Sequence, residues 1–277
     1  MSDDRGAVDL VDLRVDGDTA GADGDSDVEA DDGVDDTADD ERPTVVFLGA
    51  NNVGLEVYDW LCDRESVDVL AMLTEKSQLP LVERLHPDFV VACGFTHIVP
   101  PTVLAVPERG CLNLHPGLLP YARGYNPNVW SIVDDVPAGV TLHYMDDGVD
   151  TGPVVATREV EAHFDDTGKT LYDRLERATV DLFAEAWPGV EDGTATARDQ
   201  DDSLATTHYK REFVDLCELD PDEELTTKEL LDRLRALTFP PFDNARIDVD
   251  GETYYVEVSI THEDDTESGD DGRLSSY

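Results

Sequence analysis

The feature that most constrains the fold is an alternation of short apolar runs with amphipathic stretches between residues 44 and 187. The β-branched apolar run Thr44–Gly49 and the apolar run Asp88–Gly94 predict buried strands, and a further strand is predicted at Cys111–Leu114. The stretches between such runs, above all Gly168–Trp187, carry the apolar spacing of helices. This order predicts an α/β domain on a doubly wound, mostly parallel sheet. Such sheets place functional sites at the carboxyl ends of their strands.

Further elements extend the alternation through this domain and beyond it. Strands are also predicted at Val67–Leu73, Ala138–Met145 and Pro153–Val160, and helices from Asn51 or Asn52 to Cys62 and at Leu79–Leu85, Pro101–Val106 and Asn126–Val133. Nearer the C-terminus, a predicted helix at Leu225–Leu237 precedes two alternating segments, Ala245–Val249 and Thr253–Ile260. Asp250-Gly251 between them is typical of a hairpin turn. We therefore expect a small C-terminal α+β appendix beside the α/β domain.

Composition divides the chain into five predicted segments. Residues 1–43 are rich in Asp, Gly, Ala and Thr, contain no aromatic side chain and predict a disordered acidic extension. The α/β domain is expected at 44–189, a polar linker at 190–203 and the appendix at 204–262. Residues 263–277 resemble the first segment in composition and predict a second disordered acidic tail.

The net charge of −44 arises from 64 Asp and Glu residues against 20 Lys and Arg residues. A folded chain with this excess repels itself in dilute salt. At 1 M ionic strength, however, charges are screened beyond about 3 Å. The composition therefore indicates a halophilic protein in a cytoplasm with molar salt. It also argues against a nucleic-acid partner, although screening in molar salt weakens that argument.

Neither a membrane nor a metal is expected as a partner. No apolar run approaches the roughly 20 residues of a membrane span, and the N-terminus has no apolar signal core, so we expect a cytoplasmic protein. The cysteines show no C-x-x-C spacing and have no histidine nearby that would complete a zinc site. We interpret them as small apolar side chains.

The densest motif is Asn113–Pro120 (NLHPGLLP). Asn113 and His115 are two residues apart at a strand end, so both side chains point to one face. Asp150 follows the predicted strand Ala138–Met145 within the turn-rich segment Asp146–Gly152. If these two strands end at the same edge of the sheet, the Asp150 carboxylate can meet the His115 imidazole.

These three side chains suit a reaction whose nucleophile comes from a substrate, because no serine or cysteine motif accompanies them. Attack of an amine on a formyl group is such a reaction. It requires a donor to the developing oxyanion and a group that moves a proton. Asn113 can donate to the oxygen, His115 can donate or shuttle a proton, and Asp150 can orient the ring. From these residues alone, a structural Asn-x-His pair and a turn-capping Asp150 remain open alternatives.

Taken together, Asn113–Pro120, Arg123-Gly124 and Asp146–Gly152 resemble the motifs of the folate-dependent formyltransferase family. Members of that family formylate methionyl-tRNA, glycinamide ribonucleotide or nucleotide sugars. The resemblance covers roughly residues 44–187. It implies a Rossmann-like formyltransferase fold, 10-formyltetrahydrofolate as co-substrate and no metal.

The resemblance also implies roles for individual residues. Asn113, His115 and Asp150 match the catalytic set of the family. The folate is expected against Phe95, Thr96, His97, Ile98 and Val99, together with Asp147 and Val149. The amine acceptor is expected against Arg123, Gly124, Tyr125 and Asn126. His143, which alternates within a predicted strand, is expected only to pack or to face solvent.

The acceptor follows less directly from the motifs. The segment after Gly124 and the appendix resemble those of sugar N-formyltransferases, so we expect a primary amine on an amino sugar nucleotide or a similar small molecule. Two alternatives remain, a methionyl-tRNA formyltransferase and a formyltetrahydrofolate hydrolase. The appendix shows no basic stripe, which argues against tRNA without excluding it.

The stretch between Gly49 and Asp88 is short for the family, so part of the acceptor pocket is expected to be missing or rebuilt. A homodimer is left open.

Overall fold

The structure is a computed structural model that describes residues 42–265. The predicted acidic extension and acidic tail therefore lie outside the described residues, apart from 42–43 and 263–265. Across the described part of the chain, no helix combines the length and the apolar character needed to cross a membrane.

A six-stranded sheet forms the centre of the α/β part. Its strands are Thr44–Leu48 (β1), Asp68–Leu73 (β2), Phe89–Cys93 (β3), Cys111–His115 (β4), Gly139–Tyr144 (β6) and Val154–Glu159 (β7). The spatial order is β2-β1-β3-β4-β6-β7. The first four strands are parallel to one another, whereas β6 and β7 run antiparallel to their neighbours. The doubly wound, mostly parallel α/β fold predicted from the sequence is confirmed.

Helices cover both faces of this sheet. They are Asn52–Cys62 (α1), Pro80–Leu85 (α2), Pro101–Leu104 (α3), Pro127–Val133 (α4) and Gly168–Glu191 (α5). Alternate side chains of β3 enter two separate apolar clusters. Phe89 and Val91 join the larger one, which includes apolar residues of α1 and α5, while Val90 joins the smaller one with residues of α2 and α3. Burial on both faces explains why β3 is a continuous apolar run.

The C-terminal part is small and contains both helix and strand. Its elements are Thr207–His208 (β8), Lys210–Cys217 (α6), Glu218–Leu219 (β9), Thr227–Leu237 (α7), Arg246–Val249 (β10) and Glu252–Tyr255 (β11). The last two strands form the predicted hairpin, and β10 also pairs in parallel with β9. Helix α7 packs on α4 and α5. A two-residue strand, Arg123–Gly124 (β5), pairs in parallel with β8.

Most predicted elements occur within one or two residues of their predicted bounds. Three differ more. The predicted strand Thr253–Ile260 ends at Tyr255, and the predicted helix Gly168–Trp187 continues to Glu191. Helix α6 was not predicted, although Phe213, Leu216 and Cys217 pack on the larger core with helical spacing. The boundaries of the five predicted segments stay a prediction.

Candidate active site

A cavity of about 630 Å³ opens at the carboxyl ends of β3 and β4. Its walls come from the segment after β3, the end of β4, the loop after β6 and the start of α4. At β4 the sheet changes from parallel to antiparallel pairing. The cavity therefore lies at the strand ends where the sequence predicted a site.

Asn113 and His115 reach the cavity from β4, with Leu114 pointing to the other face. His115 is buried, with 4% of its surface exposed. Its Nε2 lies 3.0 Å from the backbone oxygen of Ala122. A carbonyl oxygen can only accept, so Nε2 carries the hydrogen and Nδ1 is the free ring nitrogen.

Asp150 meets these side chains from the loop after β6. One carboxylate oxygen, Oδ2, lies 3.4 Å from His115 Nδ1 and accepts a hydrogen bond of 2.8 Å from the backbone N–H of Gly124. The other oxygen, Oδ1, accepts from Asn113 Nδ2 at 3.4 Å. Asp150 has φ of 54°, a left-handed conformation that Asp tolerates better than most residues. The structure thus brings the three predicted catalytic side chains together.

The electrostatics of the pair favour a neutral ring beside a charged carboxylate. Burial lowers the pKa of His115, and the Asp150 carboxylate opposes that shift only in part. For Asp150, burial alone would raise the pKa, but attraction to a proton on the His115 ring and the hydrogen bond from the Gly124 N–H outweigh burial and hold the pKa well below its ordinary value. A proton taken up by the His115 ring enters at Nδ1, between the imidazole and the Asp150 carboxylate.

His143 belongs to the same cluster, contrary to the expectation that it only packs or faces solvent. Its Nδ1 donates to the backbone oxygen of Tyr144 at 2.8 Å, so its Nε2 accepts from Asn113 Nδ2 at 3.2 Å. The same Nε2 is 3.6 Å from Asp150 Oδ1. His143 lies directly opposite Asn113 in the β4–β6 register. It therefore fixes the orientation of the Asn113 amide, with the NH₂ group facing the cluster.

The seven residues predicted to bind folate all line the cavity. Phe95, Thr96, His97, Ile98 and Val99 follow β3, while Asp147 and Val149 precede Asp150 on the loop after β6. Ile98 is 77% exposed although it is apolar, and Val149 is also exposed. Exposed apolar side chains at a cavity rim are typical of a surface that binds the apolar part of a ligand.

Three of the four predicted acceptor residues, Gly124, Tyr125 and Asn126, line the same cavity. Arg123 is placed differently. Its guanidinium is buried and donates to Gln200 and Asp202. The Arg123 side chain does not line the cavity, and its predicted role in binding the acceptor stays a prediction.

Several cavity residues were not predicted. Tyr172 and Glu176 of α5 face the cavity beside Asn51. Burial, reinforced by Glu176, raises the pKa of Tyr172 to about 12, and burial beside Asp173 raises the pKa of Glu176. Lys210, at the start of α6, is the only Lys or Arg among the described residues that line the cavity. Tyr172, Glu176 and Lys210 lie far along the chain from the motifs, and no local sequence pattern links them to the site.

Within residues 42–265, no group of three or more His, Cys, Asp or Glu side chains is arranged to hold a metal ion. The polar cluster of Asn113, His115, His143 and Asp150 is instead joined by hydrogen bonds and close ion-pair distances. This arrangement can donate to an oxygen and can store a proton.

Two family models match the sequence. One, described as "Formyl transferase", matches residues 63–187, and the other, described as "N-formyltransferase dimerization C-terminal domain", matches residues 212–262. The first contains the whole Asn113–His115–Asp150 cluster. The second begins just after β8.

The relatives agree with these models. A dTDP-4-amino-4,6-dideoxyglucose formyltransferase from Mycobacterium tuberculosis is 38% identical over 162 residues, which cover 57% of this chain and 68% of the relative. A solved structure from the same species, named as a sugar N-formyltransferase, is 30% identical with a TM-score of 0.72, over 80% of this chain and 99% of the other. The formyltransferase PseJ from Anoxybacillus kamchatkensis, solved with UDP-4,6-dideoxy-4-formamido-L-AltNAc and tetrahydrofolate, is 29% identical with a TM-score of 0.52, over 61% of this chain and 87% of the other.

Fold, cavity and comparisons together define an enzyme that transfers one-carbon groups. More narrowly, the chain belongs to the formyltransferase family, as its motifs predicted, and it uses 10-formyltetrahydrofolate as co-substrate to formylate an amine. Methionyl-tRNA formyltransferases are also among its relatives.

Proposed function

We propose that this enzyme transfers the formyl group of 10-formyltetrahydrofolate to the primary amine of an amino sugar nucleotide. The observation that carries the proposal is the convergence of Asn113, His115 and Asp150 in one cavity with the predicted folate wall and with Lys210. The sugar-nucleotide relatives support the choice of acceptor.

In this proposal, Asn113 donates to the oxygen that gains negative charge when the amine attacks. One Asn113 N–H is held by His143 at 3.2 Å, whereas the other makes only a long contact of 3.4 Å with Asp150. The second N–H is therefore the donor for which a substrate oxygen can replace Asp150 while the first stays bonded to His143. Losing such a donor costs roughly 2.7–4 kcal/mol of transition-state stabilisation in comparable sites.

In this proposal, His115 accepts the proton of the attacking amine, and Asp150 stabilises the protonated ring. The ring is neutral in the resting state because burial lowers its pKa. It can accept the amine proton at Nδ1, where Asp150 lies 3.4 Å away and stabilises the resulting charge. Because Asp150 stays ionised, it can do so without taking the proton itself. When the bond between the formyl carbon and the folate nitrogen breaks, the ring returns this proton to the leaving nitrogen.

The folate end of the cavity is assigned to the segment after β3. Phe95, Ile98 and Val99 offer an apolar face, and Asp147 and Val149 of the loop before Asp150 line the same cavity. When bound, the folate supplies the formyl group, and the walls place that group beside Asn113 and His115.

The acceptor end is assigned to Tyr125, Asn126 and Lys210. Lys210 is exposed, so its ammonium can pair with the diphosphate of a nucleotide. Tyr125 offers a half-exposed ring for a base or a sugar, and its other side packs on Phe213. Trp130 is buried against His208, with ring centroids 3.8 Å apart, and therefore packs inside the protein.

Three further features belong to the proposal. Residues 212–262 match a dimerization domain and form a homodimer interface in this reading. The excess of acidic residues adapts the folded enzyme to molar salt, so its thermal midpoint rises as KCl is raised from about 0.2 to about 3 M. The location is cytoplasmic.

The test supplies 10-formyltetrahydrofolate in molar KCl with one of three acceptors, or with no amine as a control. The acceptors are dTDP-4-amino-4,6-dideoxyglucose, the same amino sugar without its nucleotide, and methionyl-tRNA. Mass spectrometry follows the formylated product, and a separate assay follows formate. We expect product with the nucleotide sugar, and much less with the free sugar. Preferential formylation of methionyl-tRNA would overturn the acceptor assignment, and formate release at full rate without amine would indicate the hydrolase.

A matched pair of variants tests the diphosphate contact. Lys210→Met should raise the KM for the nucleotide sugar about tenfold while kcat changes little, since one charge-assisted contact is lost. Lys76→Met changes a lysine that does not line the cavity and should leave both constants unchanged. Equal effects of the two substitutions would remove Lys210 from the acceptor site.

A further inference from the structure

Residues 198–208 form a strap that crosses the loops of the candidate site. The strap lies between the two matched family regions, 63–187 and 212–262. At one end, Arg198 and Val154 exchange two backbone hydrogen bonds of 2.8 and 2.9 Å. At the other end, β8 pairs with β5. A stretch that composition alone marks partly as a linker is thus hydrogen-bonded along its length to the loops of the α/β part.

Gln200 is the side chain through which the strap reaches the Asp150 loop. Its Nε2 donates to the backbone oxygens of Asp150 and Gly152, at 2.8 and 2.7 Å. Its Oε1 accepts from Nε and Nη2 of Arg123, at 3.1 and 2.8 Å. Two donors and two acceptor positions exhaust the capacity of a glutamine amide. The amide orientation is therefore fixed, and one side chain ties the Asp150 loop to β5.

Both tied segments touch the proposed proton-transfer pair. The Gly124 N–H donates to Asp150 Oδ2, and the Ala122 backbone oxygen accepts from His115 Nε2. The strap holds the same segment through its backbone. Arg123 N donates to the Thr206 oxygen, and Tyr125 N donates to the His208 oxygen, both at 2.9 Å. A shift of the strap would therefore move the groups that orient both Asp150 and His115.

The loops need such support because their backbone is strained. Asp150 and Ala122 adopt φ of 54° and 50°. An L-residue in this left-handed region is disfavoured, most clearly for alanine, and keeps the conformation only when its surroundings impose it. Thr206 of the strap accepts the Ala122 N–H at 2.9 Å, and Gln200 holds the Asp150 carbonyl at 2.8 Å.

We infer that Gln200 is a positioning residue for formyl transfer, which holds the Asp150 loop against β5 so that Asp150 and His115 face each other. This inference rests on the catalytic roles proposed for Asp150 and His115. The competing reading is that Gln200 serves only to satisfy the buried guanidinium of Arg123. Two substitutions separate these readings.

Gln200→Met keeps the side-chain length and removes all four hydrogen bonds. Gln200→Glu keeps two oxygens for Arg123 but loses both N–H donors to the Asp150 and Gly152 carbonyls. If Gln200 positions the loop, both variants lower kcat roughly 10- to 100-fold, since small misplacements of reacting groups have effects of this size. The KM values for folate and amine should change less than about threefold. Gln78→Glu is the matched control, because Gln78 uses its oxygen to accept from the backbone N–H groups of Thr74 and Glu75 and does not line the cavity.

A second readout does not depend on turnover. In protein labelled with [15N]histidine, the His115 signal is assigned by its loss in His115→Asn, and its titration is followed by NMR. The Asp150 carboxylate favours a charged His115 ring. Displacing Asp150 should therefore lower the titration midpoint of His115 in both Gln200 variants but not in Gln78→Glu. This signal still decides the role of Gln200 if no amino sugar nucleotide is formylated, so the two proposals fail separately.

Wild-type kcat and an unchanged His115 titration in a folded Gln200→Met would overturn the inference. The inference would also be overturned if Gln200→Met were impaired while Gln200→Glu behaved as wild type. That result would mean that only the contacts of Gln200 with Arg123 matter. Far-UV circular dichroism establishes folding first. If Gln200→Met does not fold, Gln200→Glu, which retains the Arg123 contacts, carries the test through the same two readouts.

Discussion

Asn113 and His115 stand on β4, which is hydrogen-bonded along both edges, whereas Asp150 stands on a loop whose shape depends on distant contacts. We call Asn113 and His115 on β4 the strand side of the site, and Asp150 with its loop the loop side. On the strand side, β3 and β6 set the position of each side chain. On the loop side, the N–H of Gly124, the amide of Gln200 and the backbone of residues 206–208 hold strained residues in place. Groups on regular structure need little outside support, while groups on loops need several contacts from other parts of the chain.

The largest effect is expected where the loop side meets the strand side. Asp150→Asn keeps the size of the side chain but removes the charge that faces His115 Nδ1 at 3.4 Å. We expect kcat to fall by roughly 10²- to 10⁴-fold, the usual share of general acid–base catalysis, with the fold retained. Steady-state kinetics in molar KCl measure the loss, and the exposed Asp59→Asn of α1 is the surface control. Near-normal turnover of Asp150→Asn would reject the role of Asp150.

The next effect isolates the loop side. Gly124 has φ of +90°, and a Cβ there would lie 2.2 Å from the His208 backbone oxygen of the strap. Gly124→Ala should separate β5 from β8, disturb the N–H that Asp150 accepts, and lower kcat roughly 10- to 100-fold. It should also lower the free energy of unfolding by more than the about 1–2 kcal/mol that left-handed alanine alone costs.

A second glycine supplies the matched control for that change. Gly251 has a similar φ of +84°, yet a Cβ there would meet no atom within 4 Å. Gly251→Ala therefore carries the backbone strain without the clash against the strap. Thermal unfolding and kcat are measured for both variants. If the two lose equal stability and both keep full kcat, the close contact between β5 and the strap has no part in holding the site.

The same contrast explains how much the sequence predicts. Val-rich apolar runs predicted β1 and β3 to within one or two residues, because strands buried on both faces leave a continuous apolar signal. The short segment Cys111–Leu114 predicted β4 to within one residue. The i, i+2 spacing then placed Asn113 and His115 on one face. The structure also explains why a glycine is needed at the end of the turn-rich segment Asp146–Gly152. A Cβ at Gly152 would lie 2.0 Å from the Tyr144 backbone oxygen, so only glycine fits.

His143 and Gln200 could not be predicted in the same way. The position of His143 depends on the register of β6 against β4, and one residue of slip would turn its side chain to the other face. Gln200 acts through hydrogen bonds to residues 48 to 77 positions away, in a stretch whose composition resembles a linker. Local periodicity holds no information about such contacts. The motif predicted the strand side of the centre and Asp150 itself, but not what holds the Asp150 loop.

A smaller effect is expected from the strand side, at His143. His143→Leu removes the acceptor that orients the Asn113 amide, while β4 and β6 keep the position of Asn113 itself. We expect kcat to fall about tenfold, equivalent to about 1.4 kcal/mol and to one hydrogen bond of ordinary strength. His143→Gln can accept the same bond and should recover most of the rate. A loss in His143→Leu as large as in Gly124→Ala would show that the strand side is no more self-supporting than the loop side.

The smallest effect is a change in how stability depends on pH. Burial lowers the pKa of His115 in the folded state, so below the ordinary histidine pKa of about 6.5 the unfolded chain binds a proton that the folded chain does not. The free energy of unfolding should therefore fall as the pH drops below about 6.5, by at most about 1.4 kcal/mol per pH unit for this one group. Asp150 acts in the same direction at lower pH. Its depressed pKa stabilises the fold above the unfolded value of about 3.9, and that contribution is lost as the pH falls through the folded value.

Denaturant titrations between about pH 5 and 8 in molar KCl measure this slope. His115→Asn should flatten it below about pH 6.5, whereas His262→Asn, which changes an exposed ring, should leave it as in the wild type. The comparison also reports on the loop side. If the strap holds Asp150 beside His115, the carboxylate limits the drop in the His115 pKa, so Gln200→Met should extend the sloping region to lower pH. An identical pH dependence in the wild type and in Gln200→Met would mean that Asp150 keeps its place without the strap.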